Sequence, residues 1–208
     1  MKKIQPTSTR SGLPAFSRRG LLRGAAALAA ASEVARPVKA QTGGQVLVYV
    51  GAYTNLGRGI HMLDMDPNDG KLTRRKELTG ILNPSSLAIS PNKKYMYAVN
   101  EISNFSGTTF GSVTSIEIDP NGDLRIMNAV SSQGGGPAHV SVDPTGKWVF
   151  AANYGGGSAV VLPVREDGSL GAATDMVQLP NTPLGRNPAQ DAPPGSFANS
   201  GHDRAHAH

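Results

Sequence analysis

The sequence contains no cysteine and few aromatic residues. Without cysteine among its 208 residues, the chain cannot form disulfides, thiolate nucleophiles or cysteine-ligated metal sites. Aromatic residues make up only 5% of the chain. No Gly-x-Ser-x-Gly sequence occurs either, which argues against a serine hydrolase with that nucleophile turn.

Positive charge is scarce outside the first forty residues. The net charge is +5, but residues 1–40 carry eight Lys or Arg and a single acid, Glu33, which leaves 12 bases and 14 acids in 41–208. That remainder has a net charge of about −2 and no basic stripe. We therefore expect no nucleic-acid partner.

The basic first segment has the layout of an export signal. Arg18 and Arg19 precede an Ala-rich run at 25–31, and Val38-Lys39-Ala40 resembles a small-residue cleavage site. Adjacent arginines before a modest apolar run are typical of twin-arginine signals. The alternative, an amphipathic helix of the mature protein, is disfavoured because an acid and a proline follow the run. We expect residues 1–40 to be a cleaved signal peptide and 41–208 to be periplasmic or secreted, with no membrane association after cleavage.

A repeat of about 50 residues runs through the rest of the chain. GGGPAHVSVDPTGKWVFAANY at 134–154 matches NPSSLAISPNKKYMYAVNE at 83–101, with Pro137 standing 53 positions after Pro84. Both segments alternate apolar and polar residues around a Gly, Asp, Asn or Pro turn, which predicts β-hairpins. Related hairpins are GIHMLDMDPNDGKL at 59–72, GSVTSIEIDPNGDL at 111–124 and GSAVVLPVREDGSL at 157–170. An all-strand repeat of this length predicts a β-propeller with one four-stranded blade per repeat.

The repeats predict two complete blades and one incomplete blade. Residues 83–132 and 136–180 each contain four strands, whereas the first unit contains three, at Val46–Tyr53, Ile60–Asp66 and Leu72–Leu78. The apolar run of the first strand is expected to be buried on both faces. Propeller rings contain four to eight blades. We therefore expect 41–208 to be an incomplete, truncated propeller whose open blade edges would allow self-association.

The quoted repeats resemble the seven-bladed lactonase family typified by propeller 6-phosphogluconolactonase. The resemblance rests on YVGAYT, LDMDPNDGKLT, the two long hairpins and the terminal AHAH, in order across most of 46–178. It implies an all-β, partial seven-bladed propeller of about three blades, with about half of the ring absent. It also implies hydrolysis of a sugar lactone in carbohydrate metabolism, with a small-molecule lactone or sugar as partner. A non-catalytic secreted binding module and an inactive fragment remain alternatives.

His139, Glu101 and His206 are the candidate catalytic residues. Lactone hydrolysis needs a base that activates water, and a propeller offers the funnel where its opening strands converge. His139 follows GGGP at the start of such a strand, and imidazole can act as a base near neutral pH. Its alternative role is a hydrogen bond to the backbone of a neighbouring blade.

The other two candidates are assigned from repeat positions and from the resemblance. Glu101 ends the VNE strand at the position of Tyr154, where it could hold a sugar hydroxyl or orient a base, or simply face solvent. His206 lies in the AHAH segment and is assigned to the repeat position of His139. The family's histidine-bearing blade entrance makes it a second funnel candidate.

Two further patterns are expected to be structural. Asn100 and Asn153 occupy equivalent repeat positions, which favours a role in capping the backbone of a turn. His202, His206 and His208 are spaced like metal ligands but have no carboxylate framework. We therefore expect neither a metal site nor a cofactor.

Overall fold

Three antiparallel sheets follow one another along the chain. The computed structural model describes residues 46–180 and 205–208. The strands are β1 Val46–Gly51, β2 Ile60–Met65, β3 Leu72–Leu78, β4 Leu87–Ile89, β5 Tyr95–Asn100, β6 Ser112–Ile118, β7 Leu124–Ser131, β8 Pro137–Val142, β9 Trp148–Asn153, β10 Ser158–Pro163 and β11 Asp175–Gln178. The only α-helix within these residues is the single turn α1, Thr54–Gly57, which the strand pattern did not predict. The expected signal peptide lies outside the described residues.

The strands form a propeller-like series of blades. The sheet orders are β1-β2-β3, β4-β5-β6-β7 and β8-β9-β10-β11, so that each strand pairs with the next one along the chain. The prediction of one three-stranded and two four-stranded blades is confirmed. We call them blades 1, 2 and 3, and the first strand of blades 2 and 3 is their inner strand.

The hairpin turns are stabilised by their own side chains. In the turn at 143–146, the Asp143 carboxylate accepts hydrogen bonds from the backbone N–H groups of Thr145, Lys147 and Trp148. The Thr145 hydroxyl, together with these N–H groups, lowers the pKa of Asp143 to about 2. The acid-turn motif therefore stabilises a hairpin, as its recurrence in the sequence indicated.

Blade 2 is covered on both faces because alternate residues of β5 point to opposite sides. Met96 and Ala98 pack with residues of blade 1, whereas Tyr97 and Val99 pack with residues of blade 3. All four side chains are fully buried. Burial of one large aliphatic side chain stabilises a fold by about 1.5–3 kcal/mol. Each blade thus depends on its neighbours for most of its core.

The expectation that β1 is buried on both faces is wrong. None of its six residues is fully buried, and Val50 is 43% exposed. The reason is position: within the described residues, only blade 2 covers the sheet that contains β1. An apolar strand is buried on both faces only where a blade lies on each side, as for β5.

Two tyrosines at equivalent positions connect neighbouring blades. The Tyr49 hydroxyl donates to the Gly122 carbonyl oxygen at 2.9 Å, and the Tyr97 hydroxyl donates to the Gly168 carbonyl oxygen at 3.1 Å. Both glycines have positive φ, and a β-carbon at Gly168 would lie 2.3 Å from the ring of Tyr95. Burial raises the pKa of Tyr97 to about 12. The turn glycines therefore allow the blades to pack closely.

Blade 3 has no tyrosine at this position. Its counterpart is Phe150, which is 41% exposed, next to the partly exposed Trp148 on the same side of β9. No described blade covers this face. Self-association through it remains a prediction.

Asn100 and Asn153 hold the loops that lead into the inner strands. Asn100 Nδ2 donates to the Leu82 carbonyl oxygen at 2.7 Å, and Asn153 Nδ2 donates to the Ser132 carbonyl oxygen at 2.8 Å. Both side chains are buried. The prediction that these equivalent residues bind loop backbone is confirmed.

The side-chain oxygen atoms of the two asparagines differ in their hydrogen-bond partners. Asn100 Oδ1 accepts hydrogen bonds from the hydroxyls of Ser112 and Thr114. In blade 3, Val160 replaces the threonine, and the buried Asn153 Oδ1 has no hydrogen-bond partner within the described residues. An unsatisfied buried acceptor destabilises a fold.

A valine–threonine exchange tests this difference. We expect Thr114→Val to lower the free energy of unfolding by about 1–2 kcal/mol, and Val160→Thr to raise it by about 1 kcal/mol, because the new hydroxyl can donate to Asn153. Denaturant unfolding of the chain and its variants measures both effects. Val177→Thr, at an exposed position, is the matched control. A loss of stability in Val160→Thr would contradict the assignment.

Candidate functional site

The connecting loops gather at one end of the blades, which we call the loop face. It comprises 52–59, 79–86, 101–111, 132–136 and 154–157. Backbone hydrogen bonds join neighbouring loops: the Glu101 N–H donates to the Asn83 carbonyl oxygen, the Gly136 N–H to that of Ile102, and the Tyr154 N–H to that of Gly136. The loops therefore form one connected surface.

Three side chains occupy equivalent corners of the loop face. Each lies just beyond the point where β1, β5 or β9 stops pairing with the next strand. They are Tyr53, Glu101 and Tyr154. The Tyr53 hydroxyl donates to Glu101 Oε2 at 2.9 Å. This hydrogen bond, with partial burial and the carboxylate charge, raises the pKa of Tyr53 above its usual value. Glu101 is half-buried and is held by a neighbouring blade instead of facing solvent alone.

Asn83 connects this pair to the loop of blade 1. Its Oδ1 accepts hydrogen bonds from the backbone N–H and the hydroxyl of Thr54, and its Nδ2 donates to the Glu101 carbonyl oxygen at 3.2 Å. Its φ is +43°, in the left-handed region that asparagine tolerates better than most residues. Asn83 therefore positions Glu101 and Tyr53 relative to one another.

An open cleft of about 900 Å³ lies beside these residues. It is lined by Tyr53, Thr54, Asn55, Leu56, Gly57, Leu82 and Asn83. Leu56 is 91% exposed and Leu82 is 55% exposed, so that these two side chains present apolar surface to the cleft. A mostly apolar cleft with a few convergent polar groups is the usual form of a small-molecule site.

His139 lies on the inner strand of blade 3 and is exposed. A bulge between Pro137 and His139 interrupts the pairing of β8 with β9 just before it. The next residue, Val140, is buried, and its N–H donates to the Ser86 hydroxyl of blade 2 at 3.3 Å. His139 makes no hydrogen bond or ion pair within 46–180 and 205–208. The alternative of a hydrogen bond to neighbouring backbone is thus not found there.

The segment 83–86 contacts the backbone beside both His139 and Glu101. Glu101 donates its N–H to the Asn83 carbonyl oxygen, and the Ser86 hydroxyl accepts the N–H of Val140, which directly follows His139. Three residues of extended chain span about 10 Å. The backbone of strand β8 at His139 therefore lies near the loop that begins at Glu101, although no contact joins the two side chains.

His206 contacts Tyr154. Its Nδ1 lies 2.9 Å from the Tyr154 carbonyl oxygen, and the two rings stack with centroids 4.1 Å apart. Because a carbonyl oxygen only accepts, Nδ1 carries the proton in this contact. His208 meets the same tyrosine edge-on at 5.0 Å.

The AHAH segment contacts Gly157 in the way that the start of β8 contacts Gly111. A β-carbon at Gly157 would lie 2.5 Å from the Ala205 carbonyl oxygen, and one at the equivalent Gly111 would lie 2.2 Å from Cδ of Pro137. The segment therefore lies where an inner strand would begin. The assignment of His206 to the repeat position of His139 stays a prediction.

The described residues contain no group of three or more His, Cys, Asp or Glu side chains that could hold a metal ion. Of the proposed histidine trio, His202 lies outside them. In the same part of the chain, no helix is long and apolar enough to cross a membrane.

Comparison with known proteins identifies the family. The family model described as "Lactonase, 7-bladed beta-propeller" matches residues 47–208. The chain belongs to this family. The sequence resemblance is thereby confirmed, and the three blades are part of a lactonase propeller.

Individual relatives agree with this membership. The chain is 35% identical over 126 residues to a 6-phosphogluconolactonase of Formosa agariphila, an alignment that covers 59% of this chain and 35% of that protein. It is 32% identical over 152 residues to a 6-phosphogluconolactonase of Bacillus subtilis, covering 72% and 42%. The structure of the periplasmic gluconolactonase PpgL of Pseudomonas aeruginosa matches with a TM-score of 0.57 and 31% identity, covering 65% and 40%. The matches therefore span less than half the length of these lactonases.

Sequence reasoning missed two residues of this lactonase loop face. The sequence pattern places Tyr53 at the end of a strand, and the repeat aligns it with Glu101, but neither observation gives it a partner. Asn83 begins a predicted hairpin, and the only signal of its role is that asparagine before proline favours the start of a turn. The hydrogen bonds between blades that give both residues their role depend on tertiary packing.

The Tyr53–Glu101 hydrogen bond can be tested by titration. We expect Glu101→Gln to lower the pKa of Tyr53 towards the usual tyrosine value, because the carboxylate that stabilises the protonated phenol is removed. NMR of ring-labelled tyrosine, with Tyr53→Phe for assignment, measures the change. Glu117→Gln on β6 is the matched control. An unchanged Tyr53 titration in Glu101→Gln would show that the hydrogen bond does not form in solution.

Proposed function

We propose that this chain contributes to a lactonase site that hydrolyses a sugar lactone in carbohydrate metabolism. The observation that carries the proposal is the exposed imidazole of His139 on the inner strand β8, which has no hydrogen-bond partner within the described residues and lies near the loop that begins at Glu101. Family membership supports the reaction class. The names of the relatives, two 6-phosphogluconolactonases and one gluconolactonase, support a sugar lactone as substrate.

In this proposal His139 acts as the general base. It accepts a proton from water while the water oxygen attacks the lactone carbonyl carbon. The ring C–O bond then breaks, and the leaving oxygen takes a proton to give the hydroxy acid. The imidazole suits this role because it is exposed and no described residue occupies its nitrogen atoms.

Glu101 binds the sugar in this proposal. Tyr53 occupies Oε2, which fixes the carboxylate, so that Oε1 can accept a hydrogen bond from a sugar hydroxyl. The neighbouring cleft supplies apolar surface for the ring carbons. His206 holds the Tyr154 ring through stacking and its Nδ1 contact, and we assign it a positioning role at the third corner of the loop face.

The alternative functions differ in what the chain does with a lactone. A non-catalytic binding module would bind the sugar without turnover, and an inactive fragment would do neither. The exposed face of blade 3 and the partial coverage of the relatives are the observations that keep these alternatives open.

Lactone hydrolysis by the chain tests the proposal. We expect the rate with glucono-δ-lactone or 6-phosphogluconolactone to exceed the spontaneous rate, and His139→Gln to lower kcat/KM by about 10²-fold or more, because the base is lost. Glu101→Gln should mainly raise KM. A pH-stat assay measures both, and Glu117→Gln is the control.

The other outcomes separate the alternatives. Turnover that survives His139→Gln would exclude this base. Saturable gluconate binding without turnover would favour the binding module, and the absence of both would favour the inactive fragment.

We also propose that the protein is exported through the twin-arginine route. The supporting observations are the sequence features of residues 1–40, which lie outside the described residues, and the periplasmic location in the name of PpgL. Export would place the lactonase site in the periplasm or outside the cell.

Fractionation of expressing cells tests the export proposal. We expect a mature chain that begins at Gln41, identified by mass spectrometry, in the exported fraction. Replacing Arg18 and Arg19 together by lysine should retain the precursor inside the cell, because the paired arginines are the recognised feature. Arg10→Lys, in the same basic segment, is the control. Unchanged export of the double variant would refute the twin-arginine route.

A further inference from the structure

A second cleft lies on the loop face, between blades 2 and 3. We call it the interblade cleft, and its volume is about 390 Å³. Its side chains come from the loop before β6, the loop before β8, the start of β10 and the end of β11. They are Ser103, Thr109, Phe110, Gln133, Ser158 and Gln178. Backbone of the 134–135 and 155–156 glycines completes the lining.

The glycines allow the two loops to lie against each other. A β-carbon at Gly155 would lie 2.9 Å from the Gly135 carbonyl oxygen, and one at Gly156 would lie 3.0 Å from the Gly135 nitrogen. The Gly156 N–H donates to the Gly135 carbonyl oxygen at 2.9 Å. Side chains would force these loops apart, so that glycine keeps the floor of the cleft narrow and free of side chains.

Gln178 provides a fixed acceptor. Its Nε2 donates to the carbonyl oxygens of Gly156 and Gly157, both at 2.9 Å. These two bonds fix the amide plane, and Oε1 has no hydrogen-bond partner within the described residues. In this orientation Oε1 can accept a hydrogen bond from a ligand hydroxyl.

Three hydroxyls add further hydrogen-bonding capacity. Ser103 and Thr109 have no side-chain partner in the described part of the chain. The Ser158 hydroxyl is 1% exposed and accepts from Asn153 Nδ2 at 3.0 Å, but its own proton reaches no acceptor among the described residues. A buried donor of this kind destabilises the site until a partner satisfies it.

The lining indicates the chemical class of the ligand. None of the lining side chains carries a charge, which disfavours a phosphate or carboxylate ligand. Hydroxyls and amides suit a polyhydroxylated molecule, and the partly exposed ring of Phe110 offers an apolar face to the C–H side of a sugar ring. The volume lies at the lower end of the range for small-ligand sites. We propose that the interblade cleft binds a neutral monosaccharide or disaccharide.

The cleft shares no lining side chain with the site proposed above. Its Gln178 lies on β11, the outermost strand of blade 3, whereas His139 lies on β8, the innermost strand of the same sheet. Three strand spacings correspond to about 14 Å. Binding at Gln178 can therefore be measured separately from lactone hydrolysis at His139.

Sugar titrations of the full chain test this proposal. D-glucose and cellobiose are the neutral probes, and D-gluconate is the charged comparison. We expect amide NMR shifts at the 134–135 and 155–156 glycines to saturate with a neutral sugar and to respond less to gluconate. Gln178→Met should weaken binding by about three- to tenfold, because it removes the fixed acceptor while keeping the side-chain length.

Two further variants control for indirect effects of the Gln178 substitution on binding. Thr109→Val removes one hydroxyl from an exposed loop and should also weaken binding, without affecting the bonds of Gln178 to the glycine loop. Met176→Gln, two residues earlier on the same side of β11, should leave the affinity unchanged. The proposal fails if no neutral sugar saturates the glycine shifts, if the shifts occur only near Tyr53 and Glu101, or if neither lining variant weakens binding.

Discussion

The packing of blade against blade is the interaction on which the rest of the structure depends. A four-stranded sheet with two apolar faces cannot bury both alone, and among the three blades that the structure describes only blade 2 has a neighbour on each side. Alternate residues of β5 contribute to two separate cores. The tyrosine hydroxyls of Tyr49 and Tyr97 then fix each blade to a turn glycine of the next.

The loop face follows from this packing. Asn100 and Asn153 bind the backbone of the loops that enter the inner strands, which sets where each inner strand begins. Corner residues at equivalent positions can then meet across blades, as Tyr53 and Glu101 do. The repeated blades thus form the scaffold, whereas the corner side chains, which differ from blade to blade, provide the functional groups. The interblade cleft uses the same arrangement, because glycine at four loop positions leaves space that side chains would fill.

Several site features could be predicted from particular residues, and others could not. The place of His139 near the start of an inner strand followed from the repeat. The hydrogen bond from Tyr53 to Glu101 did not, because it joins residues 48 positions apart in sequence. The burial of β1 was overestimated, since an apolar strand has the same sequence pattern whether one or two blades cover it.

The sequence by itself determined the strands, the turns, the blade repeat and the family. These features depend on local alternation and on residues such as glycine in tight turns, whose preferences act over a few positions. Only the tertiary structure decided which faces are covered, which corner side chains meet and where the two clefts lie. Those outcomes depend on distances between blades, and packing sets such distances among residues that are far apart in the chain.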